Sequence, residues 1–354
     1  MTPTDYPWKA LLADSIATAK ALAAVLPVDS DAVARVIARY PMRINPYVLS
    51  LIQKRDGPLW RQAIPDLREL DDDLSVGPDP TQEAFQSPSP RVVHRYPDRV
   101  VFLVSDRCAL YCRHCMRKRM VGRQRGVTEA DIDAGIGYIR DCRAVREVIL
   151  SGGDPFLLSD DRIGDILCRL RRISHVDVIR IHTRIPCVLP ARVTGELAAL
   201  LGGFHPLYVN IQFNHPDELT PEAEAACAQL ADAGIALGSQ TVLLKGINDD
   251  PATMMSLMRG LLKNRIRPYY LHHADPVAGT GHFRTGVDTG LAILRHLQGR
   301  ISGMGIPRYM IDLPRGGGKV PVSPDYVRRE RDGILLVRNY QDGLFDYPLP
   351  PKNN

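Results

Sequence analysis

The pattern of apolar and polar residues changes near residue 90 of this 354-residue chain. Before that point, apolar residues recur at helical spacing over residues 9–26 and 29–40, which predicts two helices. Ser30 or Asp31 is the expected N-cap of the second helix. Residues 75–92 are rich in proline, glycine and serine, a composition that indicates an ordered but irregular connector.

After residue 90, short β-branched runs alternate with stretches of helical periodicity. The runs predict strands at residues 99–104, 147–151, 176–181, 207–212, 235–244, 268–272 and 309–312, with a further strand in the tail at 333–339. Helices are predicted between them, for example at residues 129–142, 160–172 and 221–233, and Pro221 after Thr220 is a typical helix start. Repeated βα units of this kind predict an α/β fold, a partial and open parallel βα barrel.

The same pattern divides the chain into three expected regions. Residues 1–90 form an N-terminal helical region with its connector, 91–326 form the barrel, and 327–354 form a C-terminal tail. Polar clusters follow several of the predicted strands. Because parallel barrels carry their chemistry at the C-terminal ends of the strands, we expect the functional site there.

Composition narrows the class of protein without defining it. Hydrophobic residues make up 45% and charged residues 24%, which is ordinary for a soluble globular protein. No apolar run reaches the 18 or so residues of a membrane span, and no secretory signal is visible at the start, so a cytoplasmic protein without membrane contact is expected. The net charge of +5 is spread out, with no basic stripe that would indicate nucleic-acid binding.

Three cysteines with the spacing CxxxCxxC form the most informative motif: Cys108, Cys112 and Cys115. Three thiolates can hold three irons of a [4Fe–4S] cube and leave the fourth iron open, whereas clusters that only carry electrons usually have four cysteine ligands. An open iron can bind and reduce S-adenosylmethionine (SAM), which produces a radical. A zinc site is the alternative, but it needs a fourth ligand at suitable spacing, and the other four cysteines are single and scattered.

Two glycine-containing loops follow predicted strands. Ser151, Gly152, Gly153 and Asp154 come after one strand, and paired glycines let the backbone approach a ligand closely, here the amino end of SAM. A plain βα turn is the alternative. The second loop, 316–319, ends in Lys319 and lacks the Ser or Thr of a phosphate loop. A lysine presented by such a loop can form a Schiff base with pyridoxal phosphate (PLP), or it can be a solvated surface residue.

Two pairs of charged residues could bind ligands of opposite sign. Arg95 and Arg99 lie four positions apart where the first predicted strand of the barrel begins, and they could clamp a phosphate. Asp275 and Asp312 each come at the end of a predicted strand, where both would face the barrel mouth and could hold a cationic group of a substrate. Ordinary charged turns and helix caps are the alternatives for both pairs.

Taken together, and in this order along the chain, these motifs resemble the lysine 2,3-aminomutase family of radical SAM enzymes. The resemblance runs from about residue 40 to about residue 326. Within this range, three further matching segments are residues 184–190, 214–218 and 240–249. It implies a barrel of the radical SAM type, with SAM on the open iron and PLP on Lys319. It further implies ligands for the cluster (Cys108, Cys112, Cys115), for SAM (Ser151, Gly152, Gly153, Asp154, Gln240), for the PLP phosphate (Arg95, Arg99), for the substrate carboxylate (Arg117) and for its distal ammonium (Asp275, Asp312).

The implied reaction moves the α-amino group of L-lysine to the β-carbon and gives β-lysine. A reductant such as flavodoxin or ferredoxin would supply the electron that splits SAM. Arginine 2,3-aminomutation and the formation of β-lysine for elongation factor P remain alternatives, as does, in another class, a non-catalytic iron–sulfur electron carrier. A glutamate enzyme is less favoured, because a distal carboxylate would meet two negative charges.

The sequence departs from the longer members of the family at several positions. Asp250 stands where those enzymes have a zinc-binding cysteine, and the C-terminal cysteine cluster that completes their zinc site is missing. Zinc is therefore not expected, and a homo-oligomer is possible but open. Gln212 stands where relatives often have His, and His272 where the long enzymes have Tyr.

Overall fold

In a computed structural model, residues 8–71, 77–122, 126–331 and 333–350 are described. The helices are α1 (Trp8–Ala13), α2 (Ala19–Ala23), α3 (Ser30–Arg39), α4 (Pro46–Leu51), α5 (Pro58–Ala63), α6 (Glu129–Asp141), α7 (Asp160–Arg171), α8 (Ile185–Val188), α9 (Gly195–Gly202), α10 (Pro221–Asp232), α11 (Pro251–Lys263) and α12 (Val287–Leu297). The strands are β1 (Val92–Tyr96), β2 (Arg99–Ser105), β3 (Glu147–Gly152), β4 (Val178–Thr183), β5 (Leu207–Ile211), β6 (Ala236–Leu243), β7 (Ile266–His273), β8 (Arg308–Leu313), β9 (Gly318–Pro321), β10 (Val327–Arg331), β11 (Ile334–Arg338) and β12 (Leu344–Pro348).

The nine strands β1 to β9 form one sheet in which each strand pairs with the next along the chain. Strands β2 to β8 are parallel, and an antiparallel strand flanks them on each side. Helices α6 to α12 provide the crossovers between successive parallel strands. The sheet curves into a nearly closed barrel. The barrel stays open between β1 and β9, because these two described strands do not pair. The seven predicted barrel strands and the parallel α/β fold are confirmed.

Local sequence explains where several helices begin. Thr220 caps α10 with its side chain and Pro221 occupies the first turn, as predicted. The N-cap of α3 is Asp29, whose carboxylate accepts from two backbone amides, so the prediction of Ser30 or Asp31 was wrong by one or two residues. The single helix predicted over 9–26 is two short helices, because Ile16 pairs with Ile44 in a β-bridge between them.

The C-terminal tail contains the predicted strand and two strands that the sequence did not indicate. Strands β10, β11 and β12 form a separate antiparallel sheet. The boundaries predicted at residues 90 and 326 lie close to the starts of β1 and β10, and the division into three regions stays a prediction.

The N-terminal region holds the cysteine-containing segment through buried polar contacts. Glu69, with no exposed surface, forms ion pairs with Arg113 at 2.5 Å and with Lys118 at 2.7 Å. Lys118 Nζ also donates to the carbonyl of Gly279, beyond β7. Asn45 Nδ2 donates to two further carbonyls, one of which is that of Ala109. The helical region therefore positions the segment that carries the three cysteines.

A Glu69→Ala variant is expected to lower the free energy of unfolding by about 3–5 kcal/mol, because it leaves two buried cations without their counterion. Denaturation of the metal-free protein in urea measures this change. Asp232→Ala is the matched control, since its ion pair with Arg265 is exposed and is worth at most about 1 kcal/mol. A loss of less than about 1 kcal/mol for Glu69→Ala would contradict the proposed role of this buried cluster.

Candidate active site

A cavity of about 1300 Å³ occupies the barrel interior and is lined by every site residue that the sequence singled out. These residues come from different strands and loops: Arg95, Arg99, Cys108, Cys112, Cys115, Arg117, Ser151, Gly152, Gly153, Asp154, Gln240, Asp275, Asp312 and Lys319. The volume exceeds the 300–1,000 Å³ or so of a usual small-molecule pocket, and so leaves room for more than one ligand. The individual roles of these residues stay predictions.

The three cysteines lie in the segment between β2 and α6, at the C-terminal end of the first parallel strand. Burial, and after it the negative charge of the neighbouring Cys112, raises the pKa of Cys115 to about 11. Burial also raises the pKa of Cys108. The negative charges of Asp154 and of the two other thiolates raise that pKa as well, by smaller amounts. Two buried thiols with raised pKa values need a cationic centre before they ionise to thiolates, and an iron cluster has that property. The residues therefore fit a [4Fe–4S] cluster.

His114, between two of the cysteines, is a buried neutral imidazole. Burial lowers its pKa well below the usual value, and the charge of Arg184 contributes. Its Nε2 lies 3.1 Å from the amide nitrogen of Gln212 and 3.2 Å from that of Asn214, so Nε2 accepts and Nδ1 carries the proton. Nδ1 has no partner among the described residues and remains a donor for a ligand.

The two glycines after β3 allow a close approach of backbone to backbone. A Cβ on Gly152 would lie 2.0 Å from the carbonyl oxygen of Ser105, and one on Gly153 would lie 2.3 Å from that of Arg107. Gly152 also has a φ of +138°, a conformation that favours glycine. The glycines thus bring this loop against the start of the cysteine segment, and their predicted contact with SAM stays a prediction.

Asp154 is a buried carboxyl group that joins two of these loops. It accepts hydrogen bonds from the hydroxyl of Thr183 and from the backbone amide of Arg184, both at 2.7 Å. Burial raises its pKa to about 6, although these hydrogen bonds oppose the shift. Asp154 therefore ties the end of β4 to the loop that follows β3.

Arg117 is paired with a carboxylate that the sequence did not indicate. Its guanidinium binds Glu83 at 2.7 Å and donates to the hydroxyl of Ser151 at 3.1 Å. Burial would raise the pKa of Glu83, but Arg117 and then Arg119 outweigh it and lower that pKa to about 2. The connector before the barrel therefore contributes a permanent negative charge to the site, beside the residue predicted to bind the substrate carboxylate.

Lys319 lies on β9, directly opposite Asp312 on β8. Its ammonium forms an ion pair with Asp312, and its backbone amide donates to the hydroxyl of Tyr96 at 2.7 Å. The sequence predicted a loop for this lysine, whereas the structure places it on strand β9 at the edge of the cavity. A primary amine held beside a carboxylate inside a cavity fits the attachment point of PLP.

The two arginines predicted to bind phosphate have different surroundings. Arg95 donates to Asp312 at 3.0 Å and to Gln86 at 2.7 Å, so it shares a carboxylate with the lysine. Arg99 lies over the ring of Tyr96, with its guanidinium carbon 3.9 Å from the ring centroid, and it also pairs with an exposed aspartate. Both guanidinium groups line the cavity.

Asp275 lies just beyond β7 and differs from Asp312 in its pairing. Burial, and after it the charge of Asp312, raises the pKa of Asp275 to about 7. The charges of Lys319 and Arg95 oppose this shift. Within the part of the chain that the structure describes, no hydrogen bond offsets this burial. Asp275 is thus a carboxyl group whose charged form needs a further cation.

The parallel barrel and the three-cysteine segment after its first parallel strand define a radical SAM enzyme, and residues 102–258 match the Radical SAM superfamily. Residues 294–354 match a second family, Lysine-2,3-aminomutase. The L-lysine 2,3-aminomutase of Acetoanaerobium sticklandii is 43% identical over 349 residues, which cover 97% of this chain and 84% of that protein. The chain therefore belongs to the lysine 2,3-aminomutase family.

The comparisons also include a relative with a different named substrate and a solved structure. The glutamate 2,3-aminomutase of Clostridioides difficile is 39% identical over 343 residues, covering 95% of this chain and 81% of that protein. Streptococcus suis SuiB, solved with S-adenosylmethionine bound, aligns with a TM-score of 0.47 at 15% identity, over 61% of this chain and 51% of that one. The family thus includes more than one substrate.

Family membership confirms several predictions made from the sequence. The protein is a radical SAM aminomutase, and that class uses a [4Fe–4S] cluster and SAM. The alternative of a non-catalytic electron carrier is thereby excluded.

Across the described ranges, no helix has the length and apolar character needed to cross a bilayer.

Proposed function

We propose that this protein is a PLP-dependent L-lysine 2,3-aminomutase that produces β-lysine. One observation carries the choice of substrate: two carboxyl groups, Asp275 and Asp312, line the cavity, and Asp312 already binds the primary ammonium of a lysine side chain, that of Lys319. The distal ammonium of a lysine substrate has the same chemistry. Asp275, which needs a cation, is the second carboxylate available to it.

The remaining residues have these proposed roles. Cys108, Cys112 and Cys115 hold the cluster and leave one iron for SAM. Ser151, Gly152, Gly153, Asp154 and Gln240 surround SAM. Lys319 carries PLP, which stabilises radical character next to the migrating nitrogen, and Arg95 and Arg99 hold its phosphate. Arg117 orients the substrate through its carboxylate.

The cellular setting follows from the same chemistry and is also a proposal. Splitting SAM needs one electron at low potential, so a small carrier such as flavodoxin or ferredoxin is the expected reductant. A cluster with an open iron is sensitive to oxygen, which favours the cytoplasm.

The family alone does not decide the substrate, because a glutamate 2,3-aminomutase is among the relatives. A glutamate side chain would bring a third carboxylate next to Asp275 and Asp312, and like charges at short distance disfavour binding. Arginine is the stronger competitor, since a guanidinium also suits two carboxylates. Charge therefore favours a cationic amino acid, and the direct contact of Asp312 with a primary ammonium favours lysine.

A substrate comparison tests this proposal. The enzyme, reconstituted without air, is supplied with SAM, PLP and a reductant and offered L-lysine, L-arginine or L-glutamate. The β-amino acids are separated from the α-isomers by chromatography after derivatisation. We expect the highest kcat/KM with lysine and no detectable product from glutamate. Faster turnover of glutamate or arginine than of lysine would overturn the proposal.

Asp275 gives a prediction about pH. Because its pKa is raised to about 7, it is protonated in the free enzyme at lower pH and cannot bind an ammonium. The kcat/KM for lysine should therefore rise about tenfold per pH unit up to pH 7 through this group and then level off. Asp275→Asn should reduce kcat/KM roughly 100-fold at pH 8, because a buried charge pair is lost. The variant should also lose the rise of kcat/KM with pH below pH 7, because asparagine does not titrate.

The control for Asp275→Asn is Asp232→Asn, which changes an exposed carboxylate in α10. It should leave both the value and the pH profile of kcat/KM unchanged. Splitting of SAM by the reduced cluster should persist in Asp275→Asn, since Asp275 has no proposed part in it. A wild-type profile for lysine in the Asp275→Asn variant would remove this residue from the substrate site.

A further inference from the structure

Arg184 forms a buried network beside one of the cluster cysteines. Its Nη1 donates to Cys112 Sγ at 2.7 Å, and its Nη2 donates to Gln62 Oε1 and to Glu218 Oε1, both at 2.5 Å. Arg184 is 7% exposed, Gln62 1% and Glu218 2%. A guanidinium so deeply buried is held by its partners in one orientation, with one edge toward the cysteine sulfur.

We propose that Arg184 is a positioning residue of the iron–sulfur cluster, and that its hydrogen bond to Cys112 raises the reduction potential of the cluster. The proposal rests on the proposed role of Cys112 as a cluster ligand. Hydrogen bonds to ligand sulfurs and nearby charge are two of the features that set the potential of such clusters. Residues that hold metal ligands from outside often tune the metal in this way.

The sign of the effect follows from charge. Reduction adds one negative charge to the cluster and its thiolates. A cationic donor at Cys112 stabilises that added charge and makes reduction easier. Glu218 has the opposite effect, because its negative charge partly neutralises Arg184. Removing Arg184 should therefore lower the reduction potential of the cluster, and removing the charge of Glu218 should raise it. A purely structural ion pair would not produce two shifts of opposite sign.

The network also gives the N-terminal region a part in this site. Gln62, in α5, accepts from Arg184 through its side chain and from the backbone amide of Arg113, inside the cysteine segment, through its carbonyl. Gln62 Nε2 and Arg184 Nε are buried without a partner among the described residues. Arg184 lines the cavity together with Cys112, so one N–H of a residue beside the cysteine stays unpaired within the described protein.

The test is a potentiometric titration of the anaerobically reconstituted protein without SAM, followed by electron paramagnetic resonance (EPR) of the reduced cluster. Arg184→Gln should have a more negative midpoint potential than the wild type, and Arg184→Lys should lie between them. Glu218→Gln should have a more positive potential. Iron content is measured in each sample. The double variant Arg184→Gln/Glu218→Gln removes both buried charges, so that the effect of losing Arg184 is also measured without an unpaired carboxylate.

Arg192→Gln is the matched control. Arg192 is also buried, at 1% exposure, and binds Asp160 and two backbone carbonyls without contacting a cysteine. Its loss should leave the midpoint potential unchanged. Equal potentials in wild type, Arg184→Gln and Glu218→Gln, with iron retained, would overturn the proposal. If the wild type itself holds no cubane cluster, the proposed function falls as well, so the two failures are distinguishable.

Discussion

A Lys319→Ala variant is expected to lose the visible absorbance band of lysine-linked PLP and to form β-amino acid at least roughly 10³-fold more slowly, while its iron content stays unchanged. The amine of Lys319 faces the cavity, where it is held by Asp312. Alanine removes the only atom proposed to link covalently to the cofactor. Titration of the variant with PLP, followed by treatment with borohydride, measures the loss of this link.

Two variants separate the link from the ion pair with Asp312. Lys319→Arg keeps a cation near that carboxylate but offers no primary amine, so it should lose the band as Lys319→Ala does. Lys263→Ala, which changes an exposed lysine in α11, should retain the band and full activity. A borohydride-reducible PLP adduct that survives in Lys319→Ala would show that another amine binds the cofactor.

The second large effect is expected at the cluster. Cys115→Ala should reduce bound iron and sulfide to background and abolish splitting of SAM, because two thiolates cannot replace the three that hold a cube with one open iron. Binding of PLP should persist, since Lys319 lies on a different element, β9. Iron and sulfide analysis and the release of 5′-deoxyadenosine from SAM are the measurements.

Cys168→Ala is the matched control for Cys115→Ala. Cys168 is a half-buried cysteine of α7, outside the cysteine segment and the residues that line the cavity. This variant should hold as much iron as the wild type. A full complement of cubane iron in Cys115→Ala would show that the cluster is not bound as proposed.

The parallel strands were predictable because their buried positions are mostly β-branched or apolar, in a continuous run in β3 and at alternate positions in β4. Strands β1 and β9 were not, since each is short, lies at an edge of the sheet and carries polar residues. Their pairing depends on contacts with β2 and β8, which local periodicity cannot reveal. For the same reason Lys319 was expected in a loop, although it lies on a strand.

The residues that line the cavity could be predicted where they form local motifs, such as the cysteine spacing and the glycine pair. The charge partners could not be predicted. Glu83 meets Arg117 across 34 positions and Gln62 meets Arg184 across 122, and both contacts form only when the N-terminal region packs on the barrel. Their segments carry no motif of their own. A buried counterion is required by the physics of the site, but its identity is decided by the tertiary fold.

The radical chemistry proposed for this protein depends most directly on a [4Fe–4S] cluster with one iron free to bind SAM. EPR of the anaerobically reconstituted and reduced wild-type protein, recorded before and after addition of SAM, tests this. We expect the signal of a reduced cubane cluster, with g-values that shift when SAM is added. A protein without a cubane signal, or with a signal that SAM leaves unchanged, would contradict the account.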